Sequence, residues 1–258
     1  MTSAVTADDD AHRPGRVYTA DRRVRLGDVS PGGRLRLDAI LRYLQDVGDD
    51  DTIDAGFVDA AGWVVRRTVV TVMQFAVYQE RLRIETWCSG LGGRWAQRST
   101  RLVGDFGALV DTATIWVHID PATFRAVPLP ESFAAIYGPS AAGRRVSAKL
   151  FHDPPPRDVA PVPWALRFAD FDVMGHVNNA VVAELLEEQL ARRRELRAPL
   201  TVSFEYRHEV TPTHTVDATI VDAADTCSIW LSGPDGDTLV SAVASASGPQ
   251  HEREDQKS

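Results

Sequence analysis

Apolar residues along this chain follow two periods, in an order that occurs twice. After the turn "SPGGR", Leu37, Ile40, Leu41, Leu44 and Val47 fall at helical spacing and predict a helix with one buried face. Four β-rich segments follow, Trp63–Tyr78, Arg81–Gly90, Arg94–Gly104 and Ala108–Asp120, separated by glycine-bearing turns such as "SGLGG" and "GDFG". This reads as an antiparallel meander. Residues 129–161 break the pattern with a short helical candidate, "PESFAAIYG", a polar stretch and the proline-rich "DPPPRDVAPVP", and are expected to link two units. The order then repeats: a short strand (Trp164–Phe168), the loop "DFDVMGHVNN", and a helix from about Asn179 to Arg194 with Val182, Leu185, Leu186 and Leu190 on one stripe. The strands "LTVSFEYRHEV", "TVDATIV", "CSIWLS" and "TLVSAVASA" complete it.

A helix followed by an antiparallel meander, taken twice, predicts an α+β architecture in which each sheet covers its own helix with one face. The expected units are residues 16–128 and 162–248, with polar tails at 1–15 and 249–258. A doubly wound nucleotide fold would alternate strands and helices, and here the glycine-rich "GLGG" lies between two strands, as a hairpin turn does. The chain also contains neither a GxSxG elbow nor an HExxH pair.

Composition narrows the function classes. A formal charge of −8 argues against nucleic-acid binding through a strongly basic face. Nowhere do 18 apolar residues run together, so no membrane span is expected, and the first 16 residues lack a signal-peptide core. The two cysteines, Cys88 and Cys227, are far apart and outside any metal-ligand spacing, which fits a reducing, cytoplasmic setting. The scattered histidines support no metal site, and no cofactor is expected.

The densest chemistry lies in "DFDVMGHVNN", Asp170 to Asn179. With its helix it resembles the helix-entry motif of hotdog-fold thioesterases, and the wider pattern resembles the acyl-ACP thioesterases, which carry two hotdog repeats in one chain. The loop matches that family's "DLDVNQHVNN", "FEYRHEV" (Phe204 to Val210) matches its "LEYRREC", and "RLRIETWCSGLGGRWAQRSTRL" with "ATIWVHIDPATFRAVPLP" resembles its "EIETW" strand and the segment after it. The resemblance implies two tandem hotdog repeats, each an antiparallel sheet wrapped around a long helix. It also implies hydrolysis of fatty acyl-ACP to a free fatty acid and the carrier thiol, with an acyl-chain pocket in the first repeat and catalysis in the second. On this sequence the family's catalytic aspartate falls on Asp172, its histidine on His176 and its glutamate on Glu209. Two positions depart: the family's asparagine is Met174, and its cysteine is Val210, whose side chain can neither ionise nor attack a carbonyl.

Thioester hydrolysis needs an activated water and donors for the oxyanion of the tetrahedral intermediate. Asp172 and Glu209 can each act as base or orienting group, and His176 can orient a carboxylate, bind the carbonyl or assist the leaving thiol. The backbone N–H groups of Gly175, His176 and Val177, near a helix N-terminus, are the expected oxyanion donors.

Each residue also has a plainer reading. Asn178 and Asn179 suit helix capping, with Asn178 a supporting site residue; Asp170 suits a cap or a pair with Arg167. Glu184, Glu188 and Arg192 form an i, i+4 series expected on a solvated face, and the Arg192–Arg194 run can alternatively meet an acidic carrier. The first repeat sets Asp28 opposite Asp170 but Ser30 opposite Asp172, and lacks the histidine. Acyl-CoA in place of acyl-ACP, a hydratase or dehydratase on the same fold, and a non-catalytic acyl-binding protein are the competing expectations. The fused repeats fit a pseudo-dimeric monomer or a homodimer.

Overall fold

The computed structural model describes residues 15–192 and 197–246. The two polar tails, apart from Gly15, and Arg193 and Arg194 of the basic run lie outside them. In chain order the elements are β1 (Val17–Arg23), α1 (Leu37–Asp54), β2 (Gly62–Gln74), β3 (Arg81–Leu91), β4 (Trp95–Gly104), β5 (Leu109–Ile119) and α2 (Glu131–Ala141). Then come β6 (Val162–Trp164), α3 (Val181–Arg192), β7 (Leu200–Tyr206), β8 (Val216–Asp222), β9 (Thr226–Ser232) and β10 (Thr238–Ser245).

The fold is a pair of hotdog repeats, each an antiparallel half-sheet packed on its helix, α1 or α3. The two half-sheets are continuous. Ten strands lie in the order β1-β3-β4-β5-β2-β7-β10-β9-β8-β6, and β2 pairs with β7 from Arg67↔Glu205 to Val72↔Leu200. Alternation along these strands sends Val70, Val72, Val202 and Phe204 inward to one shared core. Leu37, Ile40, Leu41, Leu44 and Val47 of α1 enter that core as their spacing predicts, and so do Val182, Leu186 and Leu190 of α3, with Leu185 half-buried. Helix α1 runs about two turns past the predicted stripe, to Asp54, and there meets charge: Asp51 is buried and accepts hydrogen bonds from Arg16 at 2.6 Å and Arg98 at 2.5 Å.

Helices α1 and α3 pack side by side, and one buried carboxylate couples them. Glu187 of α3 accepts two hydrogen bonds from the Arg34 guanidinium, at 2.8 and 2.6 Å, and one from the Leu37 N–H at the start of α1, at 2.7 Å. A helix end leaves its first N–H groups without intrahelical acceptors, so this anion also caps α1 from the other repeat.

The 129–161 segment is strongly engaged with both repeats. Helix α2 packs on β3, and its Phe133 and Tyr137 form a second apolar cluster with Cys88 and Ala96. The chain then crosses the sheet face opposite α1 and α3. Val146 pairs with Leu91, the Lys149 carbonyl accepts a bond from Arg67, and the Asp153 carbonyl accepts one from Trp230. Mid-strap, the fully buried Glu205 receives the N–H groups of Phe151 and His152, while the His152 ring lies between Ser241 Oγ (2.8 Å) and Ser203 Oγ (2.7 Å).

Two predictions follow from these contacts. Glu187→Ala leaves Arg34 and the Leu37 N–H without their acceptor and is expected to cost about 3 kcal/mol in urea unfolding. Burial lowers the His152 pKa below its usual value, with Arg207 and Arg67 acting in the same direction and Glu205 and Asp153 opposing. Above pH ~6.5 the ring is neutral in both folded and unfolded chains, so it adds no pH dependence. As pH falls below that, the unfolded chain takes a proton that the folded chain resists, and stability drops. His152→Gln is expected to flatten the fall in thermal midpoint between about pH 7.5 and 5.5.

Candidate active site

The loop between β6 and α3 is held by its own backbone. A 3-10 turn, Phe168–Asp170, ends at a buried carboxylate: Asp170 accepts bonds from the Arg167 N–H and guanidinium, and its carbonyl accepts the Asn178 N–H at 2.8 Å. The Asp172 N–H donates to the His176 carbonyl, and Gly175, at a φ of 76° that favours glycine, returns its N–H to the Asp172 carbonyl at 3.0 Å. Asp172 Oδ1 accepts the N–H of Met174 at 2.9 Å and that of His176 at 3.3 Å. Val177 then ties the loop to the end of the β7 segment by donating its N–H to the Val210 carbonyl at 2.8 Å.

Asp172, His176, Asn178 and Glu209 all line one cavity of about 1160 Å³, which also reaches deep into the first repeat. Glu209 is exposed and Asp172 half-buried. Asn178 does what its residue type suggests. Its Oδ1 accepts the Ala180 N–H at 2.9 Å, capping α3, and its amide exchanges bonds of 3.3 Å with the Gln45 amide of α1. Tyr206, buried in β7, donates its hydroxyl to the Asn179 carbonyl at 3.0 Å, and burial raises its pKa. Gln45 carried no signal in sequence, because it sits on a helix whose apolar stripe explained it as a flank, and it becomes a site residue only when α1 lies against α3.

The backbone donors of the loop are already engaged. The N–H groups of Gly175, His176 and Val177, expected to receive an oxyanion, all donate within the fold, to Asp172 O, Asp172 Oδ1 and Val210 O. A tight loop consumes its own donors, and Gly175 is not among the residues lining the cavity.

The first repeat repeats the loop's geometry almost bond for bond. Ser30 N–H donates to Arg34 O, Gly33 N–H to Ser30 O, Leu35 N–H to Ala76 O and Arg36 N–H to Asp28 O. Asp28, Ser30, Arg34, Leu37 and Phe75 therefore stand where Asp170, Asp172, His176, Asn179 and Glu209 stand in the second repeat. The place of His176 and Glu209 is taken by the Arg34 guanidinium over the Phe75 ring, 4.7 Å from its centroid. The Leu37 N–H is occupied by the Glu187 carboxylate. Its counterpart, the Asn179 N–H, makes no hydrogen bond to another described residue, and Asn179 lines the cavity.

Two tandem hotdog repeats define a protein of the hotdog-fold class. The chain belongs to the acyl-ACP thioesterase family: residues 15–137 match its N-terminal domain and residues 157–237 its C-terminal domain. An uncharacterized protein of Mycobacterium tuberculosis is 29% identical over 197 residues, covering 76% of this chain and 79% of its own. Among solved structures, the 12:0-ACP thioesterase from Umbellularia californica aligns with a TM-score of 0.75 at 18% identity, over 89% of this chain and 96% of its own. A putative oleoyl thioesterase from Lactobacillus plantarum aligns at 0.74 and 22% identity, over 89% and 94%. These structural likenesses establish the shared fold.

No group of three or more His, Cys, Asp or Glu side chains suited to a metal occurs among the described residues. No described helix is long and apolar enough to cross a membrane. Met174, where the family has asparagine, is 70% exposed at the cavity rim beside the fully exposed Val173. Met174→Asn is therefore expected to change stability by no more than about 0.5 kcal/mol in denaturant unfolding.

Proposed function

We propose that the chain hydrolyses fatty acyl thioesters carried on acyl carrier protein, with the catalytic water held between the carboxylates of Glu209 and Asp172. The observation that carries this reading is the shared cavity: the carboxylate of the loop before α3, that of Glu209 just past β7 and His176 line one space that continues into the apolar interior of the first repeat. Family membership supports thioester hydrolysis as the reaction class.

The steps assign a task to each group. Glu209 makes no hydrogen bond to another described residue, so its oxygens are available to take a proton from water as the water oxygen attacks the thioester carbon. Asp172 spends Oδ1 on the loop and orients the same water with its second oxygen. Negative charge moves to the former carbonyl oxygen, and the Asn179 N–H is the donor assigned to it, because the equivalent Leu37 N–H binds a carboxylate oxygen in the first repeat. One such donor is worth roughly 3 kcal/mol in the transition state. Collapse of the intermediate breaks the C–S bond, and the proton that Glu209 took from the water passes to the departing sulfur by way of the His176 imidazole, leaving free acid and thiol with both side chains restored. Gln45, through Asn178, holds the start of α3 at the angle this donor requires. It is a positioning residue supplied by the first repeat.

The test is thiol release from acyl-ACP and acyl-CoA substrates of graded length, with wild type beside Asp172→Asn and Glu209→Gln. Asp172→Asn keeps the oxygen that accepts the loop N–H groups and removes only the charge. Each variant is expected to lose about 100-fold or more in kcat with an unchanged thermal midpoint. Full activity in both would overturn the carboxylate mechanism, and faster turnover of acyl-CoA would reassign the carrier.

A further inference from the structure

Resting on the hydrolase reading, we propose that Phe124, supplied by the first repeat, is the positioning residue that aims the His176 imidazole at the departing thiol. His176 is anchored through its backbone: its N–H donates to Asp172 Oδ1 and its carbonyl accepts the Asp172 N–H. Its ring makes no hydrogen bond to another described residue. A histidine that carries a proton has to present one nitrogen at a defined angle, and a hydrogen bond to the other nitrogen usually sets that angle. Here a packing contact takes its place. The Phe124 ring lies against the imidazole, with centroids 6.2 Å apart and planes inclined at 55°.

Phe124 occupies a position where phenylalanine is costly. It belongs to the turn that follows β5, closed by a bridge between Ile119 and Ala126. The Asp120 N–H donates to the Arg125 carbonyl at 2.9 Å and the Phe124 N–H to the Asp120 carbonyl at 2.8 Å. Asp120 Oδ1 also accepts the N–H groups of Ala122 and Thr123, each at 2.9 Å. Together these bonds hold Phe124 at a φ of 54°, a left-handed conformation that glycine adopts freely and a bulky side chain adopts under strain. Burial does not offset that strain, because Phe124 is 51% exposed. Glycine would serve the turn better, so what phenylalanine adds is its ring, and Phe124 lines the cavity beside His176.

The contact bears on one half of the reaction. The cavity runs from the catalytic loop into the first repeat, so an acyl chain that fills it leaves the carrier side of the thioester at the rim, where Phe124, Val173 and Met174 are exposed. The proton that Glu209 takes from water reaches the sulfur there by way of His176. Orientation of the imidazole therefore governs scission of the C–S bond, and a thiol that leaves readily as its anion needs it least.

The test compares full-chain wild type with Phe124→Gly, Phe124→Tyr, His176→Gln and the double variant of Phe124→Gly with His176→Gln. Each is assayed for thiol release from one medium-chain acyl group carried either on N-acetylcysteamine, a basic alkyl thiol, or on thiophenol, an acidic aryl one. Phe124→Gly is expected to lose about tenfold in kcat on the alkyl thioester and less than about twofold on the aryl thioester. Phe124→Tyr keeps the ring and is expected to keep kcat. In the His176→Gln background, Phe124→Gly is expected to lower kcat no further, as holds for two residues that act through one interaction. Phe124→Gly is also expected to unfold at the wild-type temperature or above it, because glycine relieves the turn, so its loss of rate is not a loss of fold. Equal losses on both thioesters, a rise in KM at unchanged kcat, or an undiminished loss in the His176→Gln background would overturn the proposal and leave the hydrolase reading standing. Wild type that releases no thiol from these thioesters or from acyl-ACP would sink both.

Discussion

The pairing of β2 with β7 is the constraint on which the rest depends. Six register pairs join two half-sheets into one, and the backbone hydrogen bonds along that seam leave neither half with an open inner edge. Once the seam is set, α1 and α3 must lie side by side on the same face. Two polar contacts between repeats then become available: Glu187 reaches Arg34 and the start of α1, and Gln45 reaches Asn178 at the start of α3. The site is assembled by both halves, although its ionisable groups come from one.

The two loops show how little backbone change separates a site from a structural joint. Both use an aspartate that closes a 3-10 turn, half-buried at Asp28 and buried at Asp170, a left-handed glycine and a bond to the end of a neighbouring strand segment. In the first repeat the side chains satisfy one another, arginine on phenylalanine and glutamate on arginine. In the second they face the cavity. Polar groups that find partners within the protein stabilise the fold, whereas those left facing a cavity can bind something else. The same argument distinguishes the three N–H groups spent within the fold by the loop before α3 from that of Asn179.

Much of this was legible in the sequence. The apolar stripe of α1, the strand alternation, the repeated order of elements and the Asp172/His176/Glu209 motif all carry local signals, and local signals survive without tertiary context. What stayed hidden is what depends on pairing over long separations. Strand β1 leaves no such signal, because an edge strand with an exposed face, Val17–Arg23, lacks a buried alternation of its own. The continuous sheet, the role of Gln45 and the sheet-crossing path of residues 144–153 all follow from which surfaces meet. In sequence the N–H groups of Gly175, His176 and Val177 look open because they stand at a helix entry, whereas a turn this tight closes on itself.

Covalent fusion of the repeats has a further consequence. In a symmetric pair of identical hotdogs, every change on one face is made twice, so a loop cannot become a joint without destroying the other copy's site. Here Arg34 and His176 occupy equivalent positions and diverge freely. The partner half is also present at a fixed effective concentration, so assembly of the site does not weaken on dilution. The cost is stoichiometric: of two equivalent loops one carries the Asp/His/Glu set, and the interior space lined by both repeats opens onto that one loop.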